Sequence, residues 1–70
     1  MKIKEVIEEG KNALSKNNIE DNVIITRKLL AFVLGVEKQY LVIHLADELN
    51  AEDYIKFKEN INKLINGKPL

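Results

Sequence analysis

The stretch that decides the fold is LLAFVLGVEKQYLVIHL, residues 29–45, and it supports two interpretations. Ala31, Gly35 and the apolar Leu41 have the spacing of a DNA-binding helix-turn-helix. The same residues also fit two core helices that meet at a glycine and bind no nucleic acid. The flanking sequence and the charge of the chain decide between these interpretations.

Apolar residues recur at spacings of three and four on both sides of this stretch, which is the period of amphipathic helices. No segment shows the strict alternation of a β-strand. SKNN, residues 15–18, ends the first helix because asparagine tolerates the left-handed conformation, and Gly67 with Pro69 ends the last. The sequence therefore predicts one all-α domain over residues 1–70, a small bundle of four to five helices. The predicted helices run from residue 2 to 16, from a cap at Asp21 or Asn22 to Gly35, from residue 37 to 44, and onward from a cap at Asn50.

Three features of these helices lead to expectations about packing. Gly10 lies in the apolar stripe of the first helix, where its missing side chain lets another helix approach closely. The second helix has no polar residue from Leu29 to Leu34, which predicts a central helix that is buried on most sides. Asn50 and Asp53 have the spacing of a variant capping box. The charged residues expected to face water are Glu5, Glu8, Glu9, Lys11 and Lys16 on the first helix and Lys56, Lys58, Glu59 and Lys63 on the fourth.

The balance of charge argues against nucleic-acid binding, because eleven basic residues face eleven acidic ones and Arg27 is the only arginine. Lysine and arginine supply the affinity for phosphates, and arginine is the usual reader of guanine.

The absence of cysteine excludes disulfides and cysteine metal sites. The longest apolar stretch, residues 29–36, is eight residues long, so no membrane span is predicted. We expect a soluble, cytoplasmic monomer that binds neither nucleic acid nor membrane.

No arrangement of side chains predicts catalysis. His44 is the only histidine, and Asp47 and Glu48 are its only acidic neighbours at helical spacing, so a hydrogen-bonded or capping histidine at a helix end is favoured over a metal ligand. Adjacent acidic residues such as Glu8 and Glu9 point apart on a helix. The sequence also lacks a glycine-rich phosphate loop, a nucleophile elbow and a Cys/His cluster. It therefore predicts no catalytic, cofactor-binding or metal-binding residue.

The second helix of the candidate helix-turn-helix is poorly suited to reading bases. A recognition helix presents Arg, Asn, Gln, Ser or Thr side chains to base edges. In this helix, four residues at positions 37–40 could be exposed to bases, and they are followed by Val42 and Ile43, which we expect to be core residues. A structural turn at Gly35 is therefore favoured over DNA binding. The exposed candidates are Glu37, Lys38, Gln39 and Tyr40.

The order of features over most of the chain resembles a known family. IEDNVIITRKLLAFVLGVEKQYLVIHLADELNAED, residues 19–53, followed by GKPL, residues 67–70, resembles the amino-terminal domain of the HemK/PrmC family. The positions that match are Ile19, Leu29, Leu30, Ala31, Val33, Leu34, Gly35, Leu41, His44, Leu49, Gly67, Pro69 and Leu70. The positions that depart from the family pattern are Asn22 for a proline, Ile25 and Arg27 for an acidic pair, and Lys63 and Leu64 for two arginines.

This resemblance implies a function for the chain within a larger protein. The family comprises methyltransferases that modify the glutamine of the Gly-Gly-Gln motif in peptide-chain release factors. It implies that a catalytic domain with an Asn-Pro-Pro-Tyr motif follows GKPL and binds S-adenosylmethionine. The 70-residue chain would itself be no enzyme and would bind neither cofactor nor metal; it would help to hold the release factor. The alternatives are a helix-turn-helix DNA-binding protein and a stand-alone helical interaction module.

Four residues around the central helix are candidates for contact with the protein partner: Lys28, Phe32, Lys38 and Tyr40. A solvent-facing Phe32 or Tyr40 would be a suitable anchor, because aromatic residues often dominate binding energy at interfaces. The alternative, which we favour from the sequence, is that both aromatic side chains complete the core.

Overall fold

A computed structural model describes residues 1–67, and all of its regular structure is helical. The predicted all-α bundle is confirmed, with four helices close to the predicted boundaries. Lys68, Pro69 and Leu70 of the GKPL motif lie outside the described residues. The helices are α1 (Ile3–Lys16), α2 (Asn22–Leu34), α3 (Lys38–Ile43) and α4 (Ala51–Ile65).

Helix α2 is the central element, because α1, α3 and α4 all pack against it. Leu29, Leu30 and Ala31 of α2 are buried, as the sequence predicted for this helix. The prediction of burial on most sides is nevertheless wrong at Phe32, whose side chain is 79% exposed. The core is formed by Ile3, Val6, Ile7, Leu14, Leu29, Leu30, Ala31, Leu41, Leu49, Phe57 and Ile61.

Gly10 marks the point where α1 approaches two helices at once. A Cβ atom at this position would lie 2.7 Å from Cζ of Phe57 on α4 and 2.7 Å from Cγ2 of Thr26 on α2. Both distances are far shorter than a van der Waals contact between carbon atoms. The expected close approach at Gly10 is therefore confirmed, and it involves the side chains of both neighbouring helices.

The ends of the helices follow the predicted capping chemistry in most cases. Gly35 ends α2 with φ of +68°, and the N–H groups of Gly35 and Val36 donate to the carbonyl oxygens of Phe32 and Ala31. This pattern is a Schellman motif, in which glycine is favoured because it has no Cβ. Asn50 starts α4, because its Oδ1 accepts a hydrogen bond of 2.8 Å from the Asp53 N–H.

The start of α2 differs from the expected cap. Asp21 flanks the helix with φ of +56°, and its side chain makes no capping hydrogen bond. The Asp21 carbonyl accepts the N–H of Ile25, which is the first hydrogen bond of the helix, and Asn22 is the first helical residue rather than the cap. Asn18, within SKNN, has φ of +58°, which confirms the expected left-handed position after α1.

The first residues of the chain are held against the connection between α3 and α4. The N–H groups of Ile3 and Lys4 donate to the carbonyl oxygens of Asp47 and Leu45, at 2.9 and 3.0 Å. Leu49 N–H donates to the Met1 carbonyl at 2.8 Å. The first N–H groups of a helix have no partner within the helix. The connection therefore satisfies the start of α1, an arrangement that the sequence did not predict.

Replacing Gly10 with alanine should destabilise the protein. Alanine favours helix by about 0.5–1 kcal/mol over glycine, but its Cβ would overlap Phe57 and Thr26. Overpacking of this kind costs about 1–3 kcal/mol, so we expect a net loss in the free energy of unfolding. Urea unfolding measures this free energy. Ser15→Ala, at an exposed position of α1, is the control, and its free energy of unfolding should change little. A Gly10→Ala protein as stable as the wild type would contradict the close packing.

Replacing Thr26 with valine should stabilise the protein. The Thr26 side chain is fully buried, and its hydroxyl has no hydrogen-bond partner among residues 1–67. Valine keeps the branched shape and removes the unpaired hydroxyl, so the free energy of unfolding should rise by about 1 kcal/mol. Thr26→Ser, which keeps the hydroxyl and loses the packed methyl group, should instead be less stable. Calorimetric melting of both variants tests this, and a destabilised Thr26→Val protein would contradict it.

Candidate docking surface

The corner where α2 meets α3 carries an open groove with an exposed aromatic side chain. We call it the Phe32 groove; its volume is about 480 Å³. Phe32 is 79% exposed on one side of it, and Lys28 and Lys38 bring a positive charge from each helix. The groove is lined by Lys28, Ala31, Phe32, Val36, Glu37, Lys38 and Gln39.

The structure brings together three of the four predicted contact residues, Lys28, Phe32 and Lys38, in this groove. Tyr40 does not line it. The Tyr40 ring stacks on the His44 ring, with centroids 3.9 Å apart and planes inclined by 23°. The expectation that both aromatic side chains complete the core is wrong, because Phe32 is 79% and Tyr40 39% exposed.

Helical spacing explains the exposure of Phe32. Ile24, Lys28 and Phe32 are four residues apart, and residues at this spacing lie on one face of a helix. All three side chains are exposed, on the face of α2 opposite to the buried leucines. A charged residue at position 28 was the signal in the sequence that this face meets water.

A second groove lies beside the first and was not predicted. We call it the Ile24 groove; its volume is about 310 Å³, and it is lined by Ile24, Arg27, Lys38, Gln39 and Val42. The two grooves share the side chains of Lys38 and Gln39, which form a wall between them. Our interpretation of Val42 and Ile43 as core residues is wrong, since they are 59% and 76% exposed. Of the apolar residues in α3, Leu41 is the buried one.

His44 occupies a structural position at the end of α3. Its Nδ1 lies 2.6 Å from Oδ2 of Asp47, and its backbone N–H donates to the Tyr40 carbonyl. The predicted hydrogen-bonded histidine at a helix end is confirmed.

Among residues 1–67, no group of three or more His, Cys, Asp and Glu side chains has a metal-binding arrangement. In the same part of the chain, no helix is long and apolar enough to cross a membrane.

A cluster of titratable side chains joins α1 to α4, away from both grooves. The Glu9 carboxylate accepts hydrogen bonds from Lys58 Nζ at 2.6 Å and from the Tyr54 hydroxyl at 2.8 Å. The hydrogen bond from Lys58 holds the pKa of Glu9 below its ordinary value, and the Glu9 carboxylate raises the pKa values of Tyr54 and Lys58. The predictions placed Glu9 on the polar side of α1 and Lys58 in water; both side chains are partly exposed, and the ion pair between them was not predicted.

The fold and the two grooves define a small helical domain with an open, cation-flanked surface at one corner. The family model described as the PrmC N-terminal domain matches residues 5–70. The chain belongs to this family, which confirms the resemblance seen in the sequence. No curated protein and no solved structure matches the chain.

Acidification should weaken the fold through Glu9. A carboxylate with a lowered folded-state pKa adds stability above its unfolded pKa, and this stability is lost as the pH falls through the folded pKa. The wild type should therefore lose stability below about pH 4.5, the ordinary value for glutamate. Glu9→Gln should lack this contribution and lose less than about 1 kcal/mol at neutral pH, since the ion pair is partly exposed.

Urea unfolding across this pH range measures the effect. Glu59→Gln is the matched control, because Glu59 is an exposed carboxylate of α4 that forms no ion pair within residues 1–67. It should follow the wild-type pH dependence. A Glu9→Gln protein with the same pH dependence as the wild type would show that the cluster contributes no stability.

Proposed function

We propose that this domain recognises the substrate of an S-adenosylmethionine-dependent methyltransferase, one that modifies the glutamine of the Gly-Gly-Gln motif in peptide-chain release factors. The observation that carries the proposal is the match to the PrmC N-terminal domain over residues 5–70. In this proposal the enzyme works in the cytoplasm, its partner is the release factor, and the domain acts as a monomer.

The Phe32 groove supports a role in protein binding. A folded domain that leaves 79% of a phenylalanine in water gains nothing from that side chain in its own core. A partner that buries it would gain about 1.5–3 kcal/mol from the hydrophobic effect. Aromatic side chains in the centre of an interface commonly carry a large part of the binding energy. Phe32 is therefore the anchor that we assign to the partner interface.

The proposal divides the work between two domains. This domain supplies affinity and orientation, while S-adenosylmethionine and the transfer of its methyl group belong to a catalytic domain that we expect in the same protein. Holding the substrate in place is itself a large part of catalysis, because it removes the cost of bringing two molecules together. The chain alone is accordingly proposed to bind the release factor without modifying it.

A protein partner fits this surface better than DNA. The second helix of the candidate helix-turn-helix, α3, has six residues, and its exposed positions include the apolar Val42 and Ile43. Neither side chain can form the hydrogen bonds with base edges that carry most of the sequence readout in the major groove. Apolar side chains grouped on an exposed surface are instead typical of a site that binds another protein.

Binding of a purified release factor to the 70-residue chain tests the proposal. We expect Phe32→Ala to weaken binding about tenfold or more, since an anchor residue contributes above about 1.4 kcal/mol. The melting temperature should be unchanged, because the Phe32 side chain is exposed. Titration calorimetry measures the affinity.

Ile55→Ala is the matched control, because Ile55 is 56% exposed on α4 and lines neither groove. It should bind like the wild type. No binding by the wild type would contradict the proposed function. Equal binding by Phe32→Ala would place the interface on another face of the domain.

A further inference from the structure

The Ile24 groove combines exposed apolar surface with positive charge. Ile24 is 52% and Val42 59% exposed, so two aliphatic side chains from different helices are open to water at one place. Arg27 of α2 and Lys38 of α3 also line the groove. Its volume of about 310 Å³ is at the lower limit for small-molecule pockets, and suits a few side chains of a docking segment.

The two cations of the Ile24 groove have no paired carboxylate among residues 1–67. No carboxylate lines the Ile24 groove, and within residues 1–67 neither Arg27 nor Lys38 forms an ion pair. Arg27 is also the only arginine of the chain. A guanidinium presents parallel N–H groups that match the two oxygens of a carboxylate, which lysine cannot do. The groove is thus complementary to an acidic ligand.

We propose that the Ile24 groove is a docking site for an acidic amphipathic segment of a protein, in which a carboxylate lies next to an aliphatic side chain. The carboxylate pairs with Arg27 and Lys38, and the aliphatic side chain covers Ile24 and Val42. This inference deepens the proposed function and rests on it in taking the partner to be a protein. It adds a second contact region, with a required chemistry, beyond the Phe32 anchor.

The wall shared by the two grooves joins them into one continuous surface. Lys38 and Gln39 line both grooves, so a segment in the Ile24 groove lies directly beside a side chain that binds at Phe32. A phosphate backbone would pair with the cations but leave Ile24 and Val42 uncovered. Burying this apolar surface is what favours a protein segment over a nucleic acid.

Two synthetic helical peptides test the proposal against the isotope-labelled chain. One carries leucines on one stripe and glutamates along both edges of that stripe, and its twin has lysine in place of every glutamate. We expect the glutamate peptide to bind about tenfold tighter than the lysine peptide, as charge-assisted hydrogen bonds imply. Its largest amide shifts in NMR spectra should fall on the residues that line the Ile24 groove.

Two matched variants test whether the tighter binding of the glutamate peptide depends on the Ile24 groove. Arg27→Gln should weaken binding of the glutamate peptide about tenfold. Lys63→Gln, which removes an exposed cation of α4 outside both grooves, should leave it unchanged. All of these side chains are exposed, so the variants should keep the wild-type melting temperature.

The proposal is overturned if neither peptide binds, if both bind equally, or if the shifts fall outside the groove. It is also overturned if Arg27→Gln binds like the wild type, or if a DNA duplex gives the same shifts with higher affinity. These outcomes are separate from the test of the proposed function. A release factor that binds through Phe32 with no effect of Arg27→Gln would leave the function standing and remove the second contact region.

Discussion

The contact at Gly10 is the constraint on which the other features of the structure depend. Here α1 approaches Thr26 of α2 and Phe57 of α4 so closely that no Cβ fits between them. Because Phe57 and Thr26 are both fully buried, this point fixes three helices relative to one another. A domain of this size has one small core, so its stability depends strongly on such packing. The position of α2 in turn fixes which of its faces meets water.

That orientation explains how one apolar helix serves both the core and the surface. The face with Leu29 and Leu30 packs toward α1 and α4, while Ile24, Lys28 and Phe32 lie on the outside. Helix α3 packs against α2 next to this outer face and adds Lys38 and Val42 to it. The core leucines and the exposed side chains of the candidate docking surface thus lie on different sides of a single helix, and the buried Ala31 belongs to both the core and the Phe32 groove.

The sequence predicted the features that depend on local chemistry. Gly35 and the Asn50 cap act through their own backbone or near neighbours, and each was found as expected. Gly10 contacts side chains of two other helices, but its place in the apolar stripe of α1 already predicted the close approach. It was harder to predict which faces of α2 and α3 are buried and which are exposed. No polar position within residues 29–34 marks the outer face of α2, so Lys28, one turn before Phe32, was the one signal for it. Helix α3 is too short to define a helical period. The hydrogen bonds from Ile3 and Lys4 to the α3–α4 connection use backbone atoms, which leave no pattern in the residue types.

The turn at Gly35 has a consequence for the affinity with which this surface can bind a partner. Two backbone hydrogen bonds and a left-handed glycine hold the end of α2, and α3 begins at Lys38, three residues later. The turn therefore holds the backbone of Lys38 in a fixed position relative to α2 before any partner arrives. A preorganised surface loses little conformational entropy on association, so more of the contact energy remains as affinity. Under the proposed function, Gly35 would thus lower the entropy cost of binding a partner through backbone geometry alone.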